Sequence, residues 1–127
     1  MARAEQSLGF HVLLALACIL CLASCAESRT AAANRRQQKT WCIAKPSTEE
    51  NKLKDNIEYS CSQSGVDCSV IAANGSCFYP NNIVSHASVV MNLHYRAAGK
   101  HTWDCYFNAT ALIVQNDPSF GHCVYPL

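Results

Sequence analysis

Cys77 to Tyr95 reads CFYPNNIVSHASVVMNLHY, and the fold turns on this stretch. A half-cystine tethers its start, Pro80 and Asn81 turn the chain, and neither proline nor glycine interrupts the run beyond them. The pattern predicts a helix from near Asn82 to about Arg96, with Gly99 beyond its end as a stop. Ile83, Ala87, Val90, Met91 and His94 fall on one face, while Ser85, Ser88 and Asn92 spread onto the others. Asn92 and His86 lie near the seam, where a buried polar side chain ordinarily satisfies neighbouring backbone groups.

On the N-terminal side, Trp41-Cys42-Ile43-Ala44 is a short strand-like run that Pro46 ends. Ser47 precedes Glu50 by three residues in a capping-box pattern, so a first helix is expected here. Leu53, Ile57 and Cys61 give it a buried stripe at four-residue spacing, and Lys52, Lys54, Asp55 and Glu58 form its wet face. Gly65 and Asp67 mark a turn, and Val70-Ile71 followed by Asn74-Gly75 reads as a loop with one apolar anchor. On the C-terminal side, Trp103 to Phe107 is rich in aromatics and Ala111 to Val114 is a β-type run. Asn116-Asp117-Pro118-Ser119 is then a turn, and Cys123-Val124-Tyr125 is expected as a last strand. Two main helices with a short antiparallel sheet make a small α+β domain.

The N-terminus carries a different signal. Arg3 precedes an apolar run from Phe10 to Leu22, and Ser24 and Ala26 sit at the small-residue positions of a cleavage site. Residues 1–26 read as a secretory signal peptide, with an apolar run too short for a comfortable membrane span. Leu22-Ala23-Ser24-Cys25 also resembles a bacterial lipobox, but two sequons favour eukaryotic secretion: Asn74-Gly75-Ser76 and Asn108-Ala109-Thr110 are candidate glycosylation sites. Residues 27–40, with Arg35, Arg36 and Lys39 but no apolar periodicity, read as a flexible leader to a domain spanning 41–126.

Six of the nine cysteines lie beyond the signal: Cys42, Cys61, Cys68, Cys77, Cys105 and Cys123. An even number in a small secreted domain is a disulfide framework, and no C-x2-C pair in the mature chain supports zinc. Spacing leaves about 15 pairings open. A formal net charge of +1 removes the electrostatic case for nucleic acid.

In this order and spacing, WCIAKP, C-x6-C, CFYPN, SHASVVMN with Tyr95 after it, C-x-F-x-A-T-A and NDPSFGHCVY resemble the plant X8 domain, the family 43 carbohydrate-binding module. The resemblance runs from Trp41 to Tyr125. It implies a non-catalytic module that binds β-1,3-glucan such as callose; a monomer without metal or cofactor is expected. It further implies a secreted protein of the cell wall or plasmodesmata, and the disulfides Cys42–Cys105, Cys61–Cys68 and Cys77–Cys123. Since the sequence stops at Leu127 without a hydrophobic tail, no lipid anchor of the family's kind is expected.

The chain departs from the family pattern at several positions. His94, Tyr95 and Arg96 stand where two tyrosines and a glutamine are usual, and Tyr106 stands in place of an acidic residue.

A glucan site wants aromatic faces for stacking against sugar C–H surfaces, with polar groups at the rim for hydroxyls. Tyr79, Tyr95, Trp103, Tyr106, Phe107 and Tyr125 are the available rings, and Asn92, Tyr95, Tyr106 and Tyr125 are the first candidates as sugar contacts. Phe78, Phe107 and Trp41 are expected to pack inside. Asp67, Asp104 and Asp117 are the carboxylates to weigh for glycoside hydrolysis, and turns account for Asp67 and Asp117. The alternative function is a cystine-rich interaction or defence protein that binds another protein.

Overall fold

The computed structural model describes residues 9–20 and 38–127. Residues 9–20 form a helix, α1, whose apolar side chains are exposed. Among the described residues no helix is long and apolar enough to cross a membrane. The cleavage positions Ser24 and Ala26, and all but the last three residues of the expected leader, lie outside the described residues.

A separate compact unit, Lys39–Leu127, is a disulfide-stapled α+β domain. It contains strand β1 (Trp41–Ala44), helix α2 (Glu50–Cys61), helix α3 (Ile83–Ala98) and strand β2 (Ala111–Val114). Three single-turn 3-10 segments lie at Cys68–Ile71, Thr102–Cys105 and Phe107–Ala109. The strands pair antiparallel, with Cys42 opposite Ile113 and Ala44 opposite Ala111.

Helix α3 is the centre of the domain. The Asn82 side chain accepts a hydrogen bond from Ser85 N at 2.8 Å, and Gly99 closes the other end in the left-handed conformation at φ 111°. Ala87 through Asn92 are all buried, so the helix is enclosed nearly all round rather than on one stripe. Ala87, Met91 and Tyr95 meet Leu53 of α2 and Ala44 of β1 in one core cluster, and Val89 joins Trp41, Cys77, Cys123 and Tyr125 in a second.

The sheet stays two-stranded for a physical reason. On the edge of β1 away from β2, Cys42 N donates to Asn92 Oδ1 and Ala44 N donates to Ser88 Oγ, both at 3.0 Å. Two residues of strand rise by about 6.6 Å and four residues of helix by about 6 Å. Side chains one helical turn apart therefore fall in register with alternate amides, and α3 caps the edge where a further strand would add. Cys123–Tyr125, expected as a last strand, is held differently. A single bridge pairs Phe120 with Cys123, Trp41 Nε1 donates to Tyr125 O at 3.0 Å, and Tyr125 N donates to Ser119 Oγ at 2.8 Å.

The expected start of α2 also shifts. A turn closed by Thr48 N on Lys45 O takes up Ser47, so the helix begins at Glu50 with no side-chain cap at Glu49. The loop before Cys77 needs its glycine, because a Cβ on Gly75 would lie 2.2 Å from the Val70 carbonyl oxygen. The three disulfides are Cys42–Cys105, Cys61–Cys68 and Cys77–Cys123, the pairing the resemblance implies. The first ties β1 to the segment before β2, and the third fastens the entry to α3 to the C-terminal segment.

Candidate functional site

Against the outer side of α2 and the C-terminal half of α3 lies a groove of about 480 Å³. Helix α2 contributes Asp55, Asn56 and Tyr59, α3 contributes His94, and the segment after α3 contributes Trp103, Asp104, Tyr106, Phe107 and Asn108. Tyr59, His94 and Phe107 meet edge to face, with centroids 5.4 to 6.2 Å apart, and form an aromatic floor. Phe107 also packs on the first core cluster, so the floor is anchored from below. Burial holds the His94 imidazole below its ordinary pKa, partly offset by the Asp104 charge.

Three rings of the groove face water: Tyr59 of the floor is 53% exposed, and beside it Tyr106 is 61% and Trp103 71% exposed. Local contacts fix the tryptophan. His101 stacks on it at 4.4 Å with the ring planes 4° apart, and Asp104 Oδ2 lies 2.8 Å from both His101 Nδ1 and His101 N. One indole face is thus backed by imidazole while most of the ring stays open to a ligand.

Phe107, Asn108 and Ala109 follow in the left-handed region at φ 45°, 52° and 64°. Non-glycine residues seldom hold this conformation in succession, at roughly 1 to 2 kcal/mol each. Three ties keep it in place. Cys105 is disulfide-bonded to Cys42, Lys45 Nζ donates to Ala109 O at 2.7 Å, and Thr110 Oγ1 donates to Phe107 O while accepting from Asn56 Nδ2 at 2.8 Å.

The four residues predicted as sugar contacts separate sharply. Tyr106 is exposed at the groove. Asn92, Tyr95 and Tyr125 are 1%, 2% and 5% exposed and present almost no surface to a ligand. Asn92 accepts from Cys42 N and donates through Nδ2 to Pro126 O at 3.0 Å, so its amide is engaged at both ends. The Tyr95 hydroxyl is bonded to Thr40 Oγ1 at 2.9 Å, and Tyr125 packs in the second cluster, where burial pushes its phenol up to about 12. Their place is the frame behind the groove, and their sugar-contact reading is corrected accordingly.

Tyr59, His94, Asp55 and Asn56 are groove residues that the sequence candidates do not include. The sequence does hold one signal for Tyr59, a lone aromatic on a helix face otherwise occupied by Lys52, Asp55 and Glu58.

Other sequence candidates resolve simply. His86 Nε2 lies 2.7 Å from Phe78 O, which makes it a backbone satisfier. Asp67 and Asp117 are turn residues whose carboxyls accept from Ser69 N and Ser119 N. Hydrogen bonds from the side chains and then the backbones of Ser69 and Ser119 hold both carboxyls below the usual range. Asn74 and Asn108 are both exposed. Among the described residues no group of three or more His, Cys, Asp or Glu could hold a metal ion.

Comparison with known proteins adds an independent finding. The family described as X8 domain matches residues 40–112, which include every residue of the groove. Major pollen allergen Ole e 10 of Olea europaea is 46% identical over 87 residues, covering 68% of this chain and 71% of the allergen. A glucan endo-1,3-beta-D-glucosidase of the same species is 44% identical over 87 residues, covering 68% of this chain. Glucan endo-1,3-beta-glucosidase 7 of Arabidopsis thaliana is 34% identical over 105 residues, covering 83% of it. The chain spans only 19% and 21% of these two enzymes, so the likeness to them is that of one module.

Proposed function

This chain belongs to the X8 domain family, and from that premise we propose that it is a secreted, non-catalytic carbohydrate-binding protein of the plant extracellular space or cell wall that recognises β-1,3-glucan in the groove between α2 and the Trp103–Asn108 segment. The observation that carries the reading is the set of three exposed rings, Tyr59 on the aromatic floor and Trp103 and Tyr106 beside it, with Asp55 and Asn56 also lining the groove. Stacking on C–H faces and hydrogen bonds to equatorial hydroxyls need this mixture.

Hydrolysis would require a carboxylic acid with a raised pKa across the bond from a second carboxylate. Asp67 and Asp117 are shifted the opposite way, and Asp104 is engaged with His101. The substrate in the enzymes' names, a 1,3-β-glucan, supplies the choice of polysaccharide. The signal-like N-terminus and three disulfides support export to an oxidising compartment.

The test is affinity electrophoresis of the oxidised protein through laminarin, xylan or a cellulose derivative, beside Trp103→Ala and Tyr106→Ala. Laminarin is expected to retard the wild type selectively. Each truncation should weaken binding by about fivefold to tenfold, the effect of about 1 kcal/mol or slightly more of stacking. Free migration of the folded wild type in every gel would sink the proposal and turn the search to protein partners.

A further inference from the structure

Asn108 stands where two hollows meet. It lines the groove and also a smaller hollow of about 160 Å³, shared with Lys52, Asp55, Asn56, Phe107 and Thr110. Its side chain is exposed and makes no hydrogen bond among the described residues, in contrast to the doubly bonded amide of Asn92. It is also the acceptor residue of the sequon Asn108-Ala109-Thr110. Fixed contacts hold the Thr110 hydroxyl of that sequon between Phe107 O and Asn56 Nδ2. Anything attached to Asn108 is therefore rooted on a ridge that borders the groove and is tied to α2 through Thr110 and Asn56.

We infer that Asn108 carries an N-linked glycan and that this glycan lies over the groove, so that occupancy of one residue controls access to the aromatic floor. The inference rests on the groove being the sugar site. In the modification, Asn108 Nδ2 attacks the anomeric carbon of an oligosaccharide on a lipid diphosphate. A C–N bond forms, the C–O bond to the diphosphate breaks, the lipid diphosphate leaves, and the displaced amide proton passes to the transferring enzyme. The attached sugars are hydroxyl-rich rings of the kind the groove is shaped to meet, so they compete at close range with a polysaccharide from solution. The second sequon gives an internal control. Asn74 is exposed in the loop before Cys77 and shares no lining residue with the groove.

The experiment uses the full chain secreted from a glycosylating host, with Asn108→Gly and Asn74→Gln beside it. Glycine accepts the left-handed conformation of residue 108, so the variant removes the sequon without straining the turn. Site occupancy is read by peptide mass, laminarin affinity by gel retardation, and groove cover by acrylamide quenching of tryptophan fluorescence. The chain has two tryptophans, and only Trp103 is open to a quencher, because Trp41 is 4% exposed.

Asn108→Gly is expected to bind laminarin about tenfold more tightly than the glycosylated wild type and to be more strongly quenched. Asn74→Gln should match the wild type on both readouts. An unoccupied Asn108, or equal quenching of the glycosylated protein and Asn108→Gly, overturns the inference. If quenching differs but laminarin retards neither form, the glycan cover stands and the β-1,3-glucan reading fails.

Discussion

Replacing Asn92 separates its two readings, sugar contact and structural clamp. In Asn92→Ala the Cys42 N–H, on a residue with 0% exposure, loses the acceptor Asn92 Oδ1 and has no route to water. An unsatisfied buried donor costs about 1 to 3 kcal/mol. The Pro126 carbonyl, on a half-buried residue, should lose about 1 kcal/mol, the low end of the same range. The void left by the amide adds about 1 kcal/mol more. The total, about 3 to 5 kcal/mol, should lower the guanidinium midpoint by about 1 M at the slope expected of a small domain. The assay is equilibrium unfolding followed by tryptophan fluorescence, with laminarin retardation of the folded fraction measured alongside.

Asn92→Asp sharpens the argument. A neutral carboxyl can accept from Cys42 N and donate to Pro126 O, whereas an ionised one turns a charge toward that carbonyl. Burial without a cation raises the folded pKa of the introduced group above its unfolded value of about 3.9. The neutral form's contribution is then complete below about pH 3.9 and is lost as pH rises through the folded value. This variant should approach the wild type near pH 3 and fall behind it at neutral pH. The reasoning is refuted if Asn92→Ala unfolds within about 0.5 kcal/mol of the wild type. A normally stable Asn92→Ala that no longer binds laminarin would restore the sugar-contact reading.

Three further outcomes rest on the same geometry. Cys42–Cys105 closes a separation of 63 residues and Cys61–Cys68 one of 7, so removing the first should destabilise by about 4 kcal/mol and the second by about 2; chemical unfolding of the paired alanine variants checks the order. Because burial lowers the His94 pKa, its stabilising effect is present above about pH 6.5 and is lost as pH falls through the folded value. His94→Gln should flatten the melting temperature between pH 7.5 and about 5, and an unchanged slope would remove His94 as its source. Tyr125, raised to about 12, contributes stability below the unfolded value of about 10 that is lost as pH climbs through 12. Tyr125→Phe should unfold less steeply in that alkaline window.

The frame was legible in the sequence where chemistry is local. Asn82 and Gly99 mark the ends of α3, and Trp41–Ala44 and Ala111–Val114 carry strand composition, whereas the disulfide pairing came only with the family resemblance, the cysteine spacing alone leaving it open. Legibility ended where one element settles the fate of another. Nothing near Cys123–Tyr125 reveals that Ser88 and Asn92 have already capped the edge of β1. Nothing near Tyr95 reveals that Thr40 meets its hydroxyl. An aromatic in a motif can serve as wall or as surface, and that depends on packing partners distant in sequence.

This division would let the groove change without the fold. Asn92, Tyr95 and the six half-cystines hold the frame through buried bonds whose loss costs several kcal/mol, whereas Tyr59, Trp103 and Tyr106 sit on its outside with more than half their surface in water. Truncating an exposed ring removes little burial, so its effect should fall on binding rather than stability. His94 lies between the two classes, half-buried in the floor, at a position where the resemblance to X8 domains implies a tyrosine. Its edge-to-face contacts with Tyr59 and Phe107 keep the floor aromatic. A tyrosine there would place a phenol hydroxyl on the floor, and histidine places ring nitrogens instead. If the groove is the sugar site, the hydroxyl pattern it accepts should shift with that one residue while α3 beneath it stays as it is.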